Sequence, residues 1–170
     1  YPAEQYVEVR HRPETGTPIK NQGDGERLVA LSDDICELLD DWIETQRRDV
    51  TDEYGRDALL TTAQGRPCKS TLRVYVYRWT QPCQYAAECP HNRDPDECKA
   101  TNRDHLSKCP SSVSPHAIRR GSITHSLNND MPDKVVSDRA NVSQEVIDTH
   151  YDRRTERERM EQRRDYLDDL

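Results

Sequence analysis

The stretch from Pro82 to Ser114 constrains this chain more than any other. It is rich in Cys, Pro, Asp and Asn and has almost no apolar periodicity. An ordered segment has to offset its lost conformational entropy with buried apolar area. This one has little to bury, so it needs another staple. Five of the six cysteines lie between positions 68 and 109. Within the polar stretch the pattern is Cys83-x5-Cys89-Pro-His91, then Cys98, then His105-x3-Cys109. Four thiols and two imidazoles in 27 residues suit tetrahedral Zn2+, which takes sulfur and nitrogen ligands. Thiolate binding to zinc would supply the folding energy that the segment lacks. The expected ligands are Cys83, Cys89, Cys98 and Cys109, with His91 or His105 as alternates, in a structural site. The spacing is not that of a standard finger, and two disulfides are the competing staple. Nothing in the sequence points to secretion, which favours zinc.

The rest of the chain carries periodic apolar segments, and these argue against general disorder. Residues 6–10 alternate apolar and polar side chains, and residues 26–31 read Glu-Arg-Leu-Val-Ala-Leu, with a polar, turn-rich stretch, Pro13 to Gly25, between them. That predicts two short strands joined by a long hairpin loop. Ser32 is placed to cap a helix with Asp33 and Asp34 in its first turn, where the dipole favours acids. Ile35, Leu38, Leu39, Trp42 and Ile43 follow at helical spacing. Cys36 within it reads as a small structural residue. Ser70 is placed to cap a second helix with Leu72, Tyr75, Val76 and Trp79 on one face, although Leu72, Val74 and Val76 also alternate as in a strand. Pro115 behind Ser114 opens a helix to about Asn128. Shorter helices follow, to about Arg139 and, capped by Ser143, through His150 and Tyr151. A charged tail, 152–170, is helix-prone with Met160, Leu167 and Leu170 on a thin stripe, either solvated or docking on a neighbouring subunit.

Composition sets the solvent. The 170 residues carry 25 Lys+Arg against 32 Asp+Glu, for a net charge of −7. Of the basic residues 20 are Arg and 5 are Lys, and 19 of the acids are Asp. Mean hydropathy is −1.10 and there is no Phe. A surface rich in Asp and poor in Lys stays hydrated and dispersed when salt screens other interactions, which is a halophile's composition. No run of about 18 apolar residues exists, which excludes a membrane-spanning helix, and no apolar leader opens the chain. Taken alone, the negative charge argues against a nucleic-acid partner.

The motifs reverse that inference. Residues 114–127 read Ser-Pro-His-Ala-Ile-Arg-Arg-Gly-Ser-Ile-Thr-His-Ser-Leu, and residues 146–152 read Val-Ile-Asp-Thr-His-Tyr-Asp. Residues 18–31 read Pro-Ile-Lys-Asn-Gln-Gly-Asp-Gly-Glu-Arg-Leu-Val-Ala-Leu. Together, in this order, they resemble the C-terminal half of a tyrosine recombinase of the phage-integrase family, most closely the integrase-like proteins of halophilic archaea. The resemblance implies an α+β, mostly α, tyrosine-recombinase catalytic-domain fold spanning residues 1–170, with a small antiparallel sheet and the Cys-rich zinc-binding insertion at 82–114. It assigns His116 and Arg119 to the His-x-x-Arg box, Tyr151 to the nucleophile and Lys20 to the hairpin lysine. It implies site-specific recombination, integration or excision of a mobile element. Its partners would be duplex DNA at a recombination site and sister protomers, four at synapsis, in the cytoplasm.

Elementary chemistry is compatible with those roles. His116 and Arg119 are three apart and share a face of a helix's first turn. Free N–H groups and the dipole make that turn a phosphate site. Arg119 can grip a phosphate oxygen bidentately and His116 can hydrogen-bond the same group or assist proton transfer. Tyr151 can attack phosphorus, and Lys20 can protonate the leaving 5′-oxygen. Charge stabilisation is then the main catalytic term, with neither ATP nor a catalytic metal required. Arg119, Arg120 and Lys20 are the expected DNA-binding residues.

Two departures from the family pattern stand out. The family's first Arg and its amino-terminal DNA-clasping domain lie upstream of the strands with which this chain begins. The expectation is therefore a fragment of weak or no activity. The usual His or Trp about nine residues before the Tyr falls on Val142, with Asn141, Arg139 or His150 as substitutes. Two rival functions remain: a catalytically inactive DNA-binding remnant, and a zinc-dependent interaction module. The net charge excludes neither DNA reading, because counterion release gives little affinity in molar salt. Binding would then lean on a few aimed groups.

Overall fold

A computed structural model of the chain describes residues 4–86, 88–152, 154–164 and 167. These residues form a mostly helical α+β structure with one two-stranded antiparallel sheet. The chain divides into two compact units. The hairpin unit takes Tyr6–Leu31 and the residues from Arg119 on, and the cysteine unit takes Ser32–Ile118.

In the hairpin unit, β1 (Tyr6–Val9) pairs with β2 (Arg27–Ala30), Tyr6 opposite Ala30 and Val9 opposite Arg27. The loop between them is held by its own polar groups. The Glu26 carboxylate accepts from the His11 backbone N–H at 2.7 Å and from Arg10 Nη1 at 3.0 Å. Those two contacts, the His11 one foremost, hold its carboxyl below the usual range. The ring of His11 accepts at Nδ1 from the Ile19 N–H at 3.1 Å. One residue beyond Ile19 sits Lys20.

Helix α3 (Pro115–Asn128) begins at the expected proline, and Ser114 Oγ accepts from the Ala117 N–H at 3.1 Å. It lies in the hairpin unit from Arg119 on. Then come α4 (Asp133–Ala140), α5 (Gln144–His150) and α6 (Glu156–Arg164). Ser143 caps α5 as expected, accepting from the Val146 N–H. The α4 end is a left-handed turn at Asn141, φ 49°, with the Val142 N–H reaching back to Ser137 O at 3.1 Å. Ile123 and Leu127, one turn apart on α3, meet Val136 of α4 and Ile147 of α5 in the core, and Met131, Ala140, Val142 and Tyr151 pack against it. Each fully buried aliphatic side chain contributes about 1.5–3 kcal/mol. Of the expected tail helix, Glu156–Arg164 is formed; residues 153, 165, 166 and 168–170, including Leu170 of its stripe, lie outside the described residues.

In the cysteine unit, α1 (Asp33–Asp41) runs into a single π turn, Trp42–Gln46, closed by the Arg47 N–H on Trp42 O at 2.7 Å. Helix α2 (Lys69–Trp79) follows, and among the described residues three short 3-10 turns mark the polar stretch. Ser32 is the N-cap of α1 as expected, through its backbone carbonyl rather than its hydroxyl, whereas Cys68, not Ser70, precedes α2. The strand alternative for Leu72–Val76 gives way to helix.

The larger difference is burial. The stripe on α1 faces solvent: Ile35, Leu38 and Ile43 are exposed, and Cys36 is the helix's buried residue, as expected of it. On α2, Leu72, Tyr75 and Trp79 are exposed as well. The polar stretch is instead organised around Gln81, which is fully buried. Its Nε2 donates to Ala100 O at 3.0 Å and Leu106 O at 2.9 Å, and Ala100 and Leu106 are themselves buried. Ser112 Oγ donates to Tyr77 O, and Thr80 Oγ1 accepts from the Val113 N–H. All six cysteines are free thiols, so the staple formed is not the disulfide alternative.

Candidate functional site

The turn at Ala140–Asn141 gathers the hairpin unit's polar groups. Arg119, exposed on α3, donates from Nη2 to Ala140 O at 2.5 Å and lies 3.4 Å from Asn141 O. From the hairpin loop, Asn21 Nδ2 donates to Asn141 Oδ1 at 3.2 Å. Gly25 is buried beneath the same contact. A Cβ there would meet Asn141 Nδ2 and the Ile19 side chain, each at 3.0 Å, so a larger residue needs those side-chain ends to shift. The loop that carries Lys20 and the helix that carries Arg119 therefore dock on one two-residue turn. Lys20 itself is exposed, one residue before Asn21, with no hydrogen bond or ion pair among the described residues.

Beside that turn is a cleft of about 230 Å3. Arg27, Arg119 and Arg139 line it with Ser122 and Ser126, over Val29, Ile123 and Val136. Arg27 donates from Nε to Arg139 O at 3.2 Å and from Nη1 to Gly25 O at 2.8 Å. Arg139 donates from Nη1 to Ala30 O at 2.6 Å. Of the residues that could fill the position before the nucleophile, Val142 packs on the core, Asn141 forms the turn, Arg139 reaches the cleft and His150 is exposed.

Tyr151 ends α5, its N–H on Ile147 O at 2.9 Å. The residue is half-buried against the core, and its hydroxyl has no hydrogen-bond partner among the described residues. The backbone that follows is fixed by charge. Arg154 donates to Asp152 at 2.8 Å, to Asp133 at 2.5 Å and to Gln162 at 2.6 Å, tying the end of α5 to α4 and α6. The Arg154 contact holds the Asp152 carboxyl below its ordinary range, and Asp152 chiefly raises Arg154 in return. His116, in the first turn of α3, is exposed, as are Arg120 and His150. Neither the His116 nor the Arg120 side chain has a hydrogen bond or ion pair among the described residues.

Two groups bear on metal. Zn2+ at about 2.3 Å from each sulfur sets thiolates roughly 3.8 Å apart in a tetrahedron. Among the described residues, no three of Cys83, Cys89, Cys98, Cys109, His91 and His105 bring their ligand atoms within 4.8 Å of one another. The free thiols suit zinc in kind, and their placement does not assemble a zinc site. His91 is engaged instead with Ser111 Oγ at 2.8 Å. The trio that does meet that distance is Asp133, Asp148 and Asp152, and Arg154 already supplies a cation to two of its members. Outside both groups, hydrogen bonds from Ser70 first, then Thr71, lower the exposed Cys68 thiol to about 6.

No family model matches the chain, and neither the curated proteins nor the solved structures hold a match to it.

No motif in the sequence assigns a role to Arg27, Gln81 or the three aspartates. Arg27 left a signal: it shares the period-2 face of Val29, which lines the cleft. Gln81 left none, since a lone Gln before a Pro reads as loop.

Proposed function

We propose that the chain is the catalytic part of a tyrosine recombinase that cleaves and rejoins duplex DNA at a recombination site. The supporting observation is the shared docking turn: the Lys20 loop and Arg119 both hydrogen-bond the Ala140–Asn141 segment, within the unit that also holds Tyr151. In this reading Arg119, with His116 on the same helix, holds the scissile phosphate. The Tyr151 oxygen attacks phosphorus and its proton passes to water. The bond to the 5′-oxygen breaks, Lys20 protonates that leaving oxygen, and a 3′-phosphotyrosyl ester remains. Attack of a 5′-hydroxyl on that ester reverses the step and rejoins a strand. Sister protomers would supply the partner strands, four at synapsis. Zinc on the cysteine unit belongs to the same proposal as a structural ion. Its ligands would be drawn together on binding, and stoichiometric zinc in the purified reduced chain is the expected result.

The test is incubation with a duplex carrying a nick beside the site, followed by denaturing electrophoresis. A covalent protein–DNA adduct is expected, and Tyr151→Phe abolishes it. Duplex binding without any adduct assigns the chain to the non-catalytic DNA-binding class.

A further inference from the structure

We infer that the cleft between Arg27, Arg119 and Arg139 receives one phosphate diester of a nucleic-acid backbone, with Arg27 and Arg139 as binding residues beside Arg119. The inference deepens the reading above and rests on it for the source of the phosphate.

Charge is the first argument. The chain has 32 acids against 25 bases, and some of its arginines pair with carboxylates. Arg10, Arg56, Arg66, Arg154, Arg159 and Arg164 all do. The three in the cleft come from three different elements, and none has a carboxylate partner among the described residues. Like charges gathered over an apolar floor repel one another, and an anion between them removes that repulsion.

The strand supplies the second argument. In β2 the half-buried residues are Arg27 and Val29, while Leu28 is 60% exposed. The register that turns Val29 inward brings Arg27 to the same face and leaves Leu28 in solvent. A charged residue on this inner, cleft-lining face suits an anionic ligand there.

Preorganisation is the third. Each guanidinium is anchored by backbone carbonyls, which carry no net charge and leave its positive charge uncompensated. Arg has five N–H donors in a fixed fork, so donors remain for the phosphate oxygens. The apolar floor strengthens such charge-assisted bonds. At about 230 Å3 the cleft is smaller than the roughly 300–1,000 Å3 of small-molecule pockets. It suits a phosphate group and not a whole cofactor.

The test uses the full chain and a fluorescent duplex, with anisotropy read across a salt series and melting read with and without inorganic phosphate. Arg27→Gln and Arg139→Gln are each expected to weaken duplex binding by about tenfold. Each should also lower the slope of log affinity against log salt by about one. Both should lose the rise in melting temperature that phosphate gives the wild type. Arg27→Lys keeps the slope and loses affinity, a separation that a purely structural role would not produce. Arg73→Gln, at an exposed position on α2, should change neither reading. An unchanged slope in both glutamine variants overturns the inference. So does a phosphate-induced melting shift that these variants retain. Stabilisation by phosphate with duplex affinity unaffected overturns it in favour of a small-anion site. Absence of the Tyr151 adduct, with the slope changes intact, removes the cleavage reading and leaves the phosphate cleft standing.

Discussion

In the hairpin unit, helical spacing and burial agree: Ile123, Leu127, Val136 and Ile147 are each nearly inaccessible. In the cysteine unit they part. The α1 and α2 stripes have the same spacing, yet Leu38 is 62% and Trp79 is 64% exposed. The buried side chains there are small or polar, Cys36, Ala58, Ala100 and Gln81, with Leu106 as the large one. Hydrogen bonds take over the work of a core. Trp42 Nε1 donates to Leu59 O at 2.7 Å, and the Asp52 carboxylate ties Tyr54, Arg56 and Arg66. The comparison teaches that an amphipathic pattern specifies a helix and a face, and that a second apolar face is needed before burial follows.

Removing core volume from the hairpin unit should have the largest effect on stability. Ile147→Ala leaves a cavity at a fully buried site and is expected to cost about 2–5 kcal/mol in urea denaturation. A cost under about 1 kcal/mol would break the contrast, since it would make this core no more important than the polar staples. The matching experiment in the cysteine unit is Gln81→Ala. It orphans the Ala100 and Leu106 carbonyls and is expected to cost about 1–3 kcal/mol. Limited proteolysis should then show the first new cuts between positions 82 and 114. Unchanged protection there would show that something other than Gln81 orders the stretch.

The same contrast explains what could be read from sequence. The strands, the helices and the Ser114 and Ser143 caps were legible because each depends on residues within a turn or two of one another. Cys68 replaced Ser70 as cap because capping is settled within a residue or two, where alternatives nearly tie. The Pro82–Ser114 stretch was legible as lacking a core, but its organiser was not, because Gln81 acts on carbonyls 19 and 25 residues away. At the candidate site, Arg119, Tyr151 and Lys20 came from motif order. Arg27 did not, since its meaning lies in facing inward while Leu28 faces out.

Acid should loosen the cysteine unit through Asp52. Hydrogen bonds from Arg56 chiefly, with the Arg56 and Tyr54 N–H groups, lower its carboxyl in the folded chain. A depressed carboxyl contributes stability above its unfolded value, about 3.9, and loses it as pH falls through the folded value. The loop from 47 to 66 should therefore keep its amide protection down to about pH 4 and lose it below. Asp52→Asn should show reduced protection at neutral pH and a flatter acid response. Equal acid profiles in the two proteins would sever the link to this carboxylate.

The smallest effect is expected at the exposed stripes, and it sharpens the comparison most. Leu38 on α1 and Leu127 on α3 are both leucines on helical apolar stripes, one 62% exposed and the other 1%. Leu38→Ser gives up little buried area and should shift stability by no more than about 0.5 kcal/mol. Leu127→Ala should cost several times that. If Leu38→Ser instead destabilises the isolated chain by about 2 kcal/mol or more, the α1 stripe is buried in solution. The contrast between a packed unit and an open one would then fall.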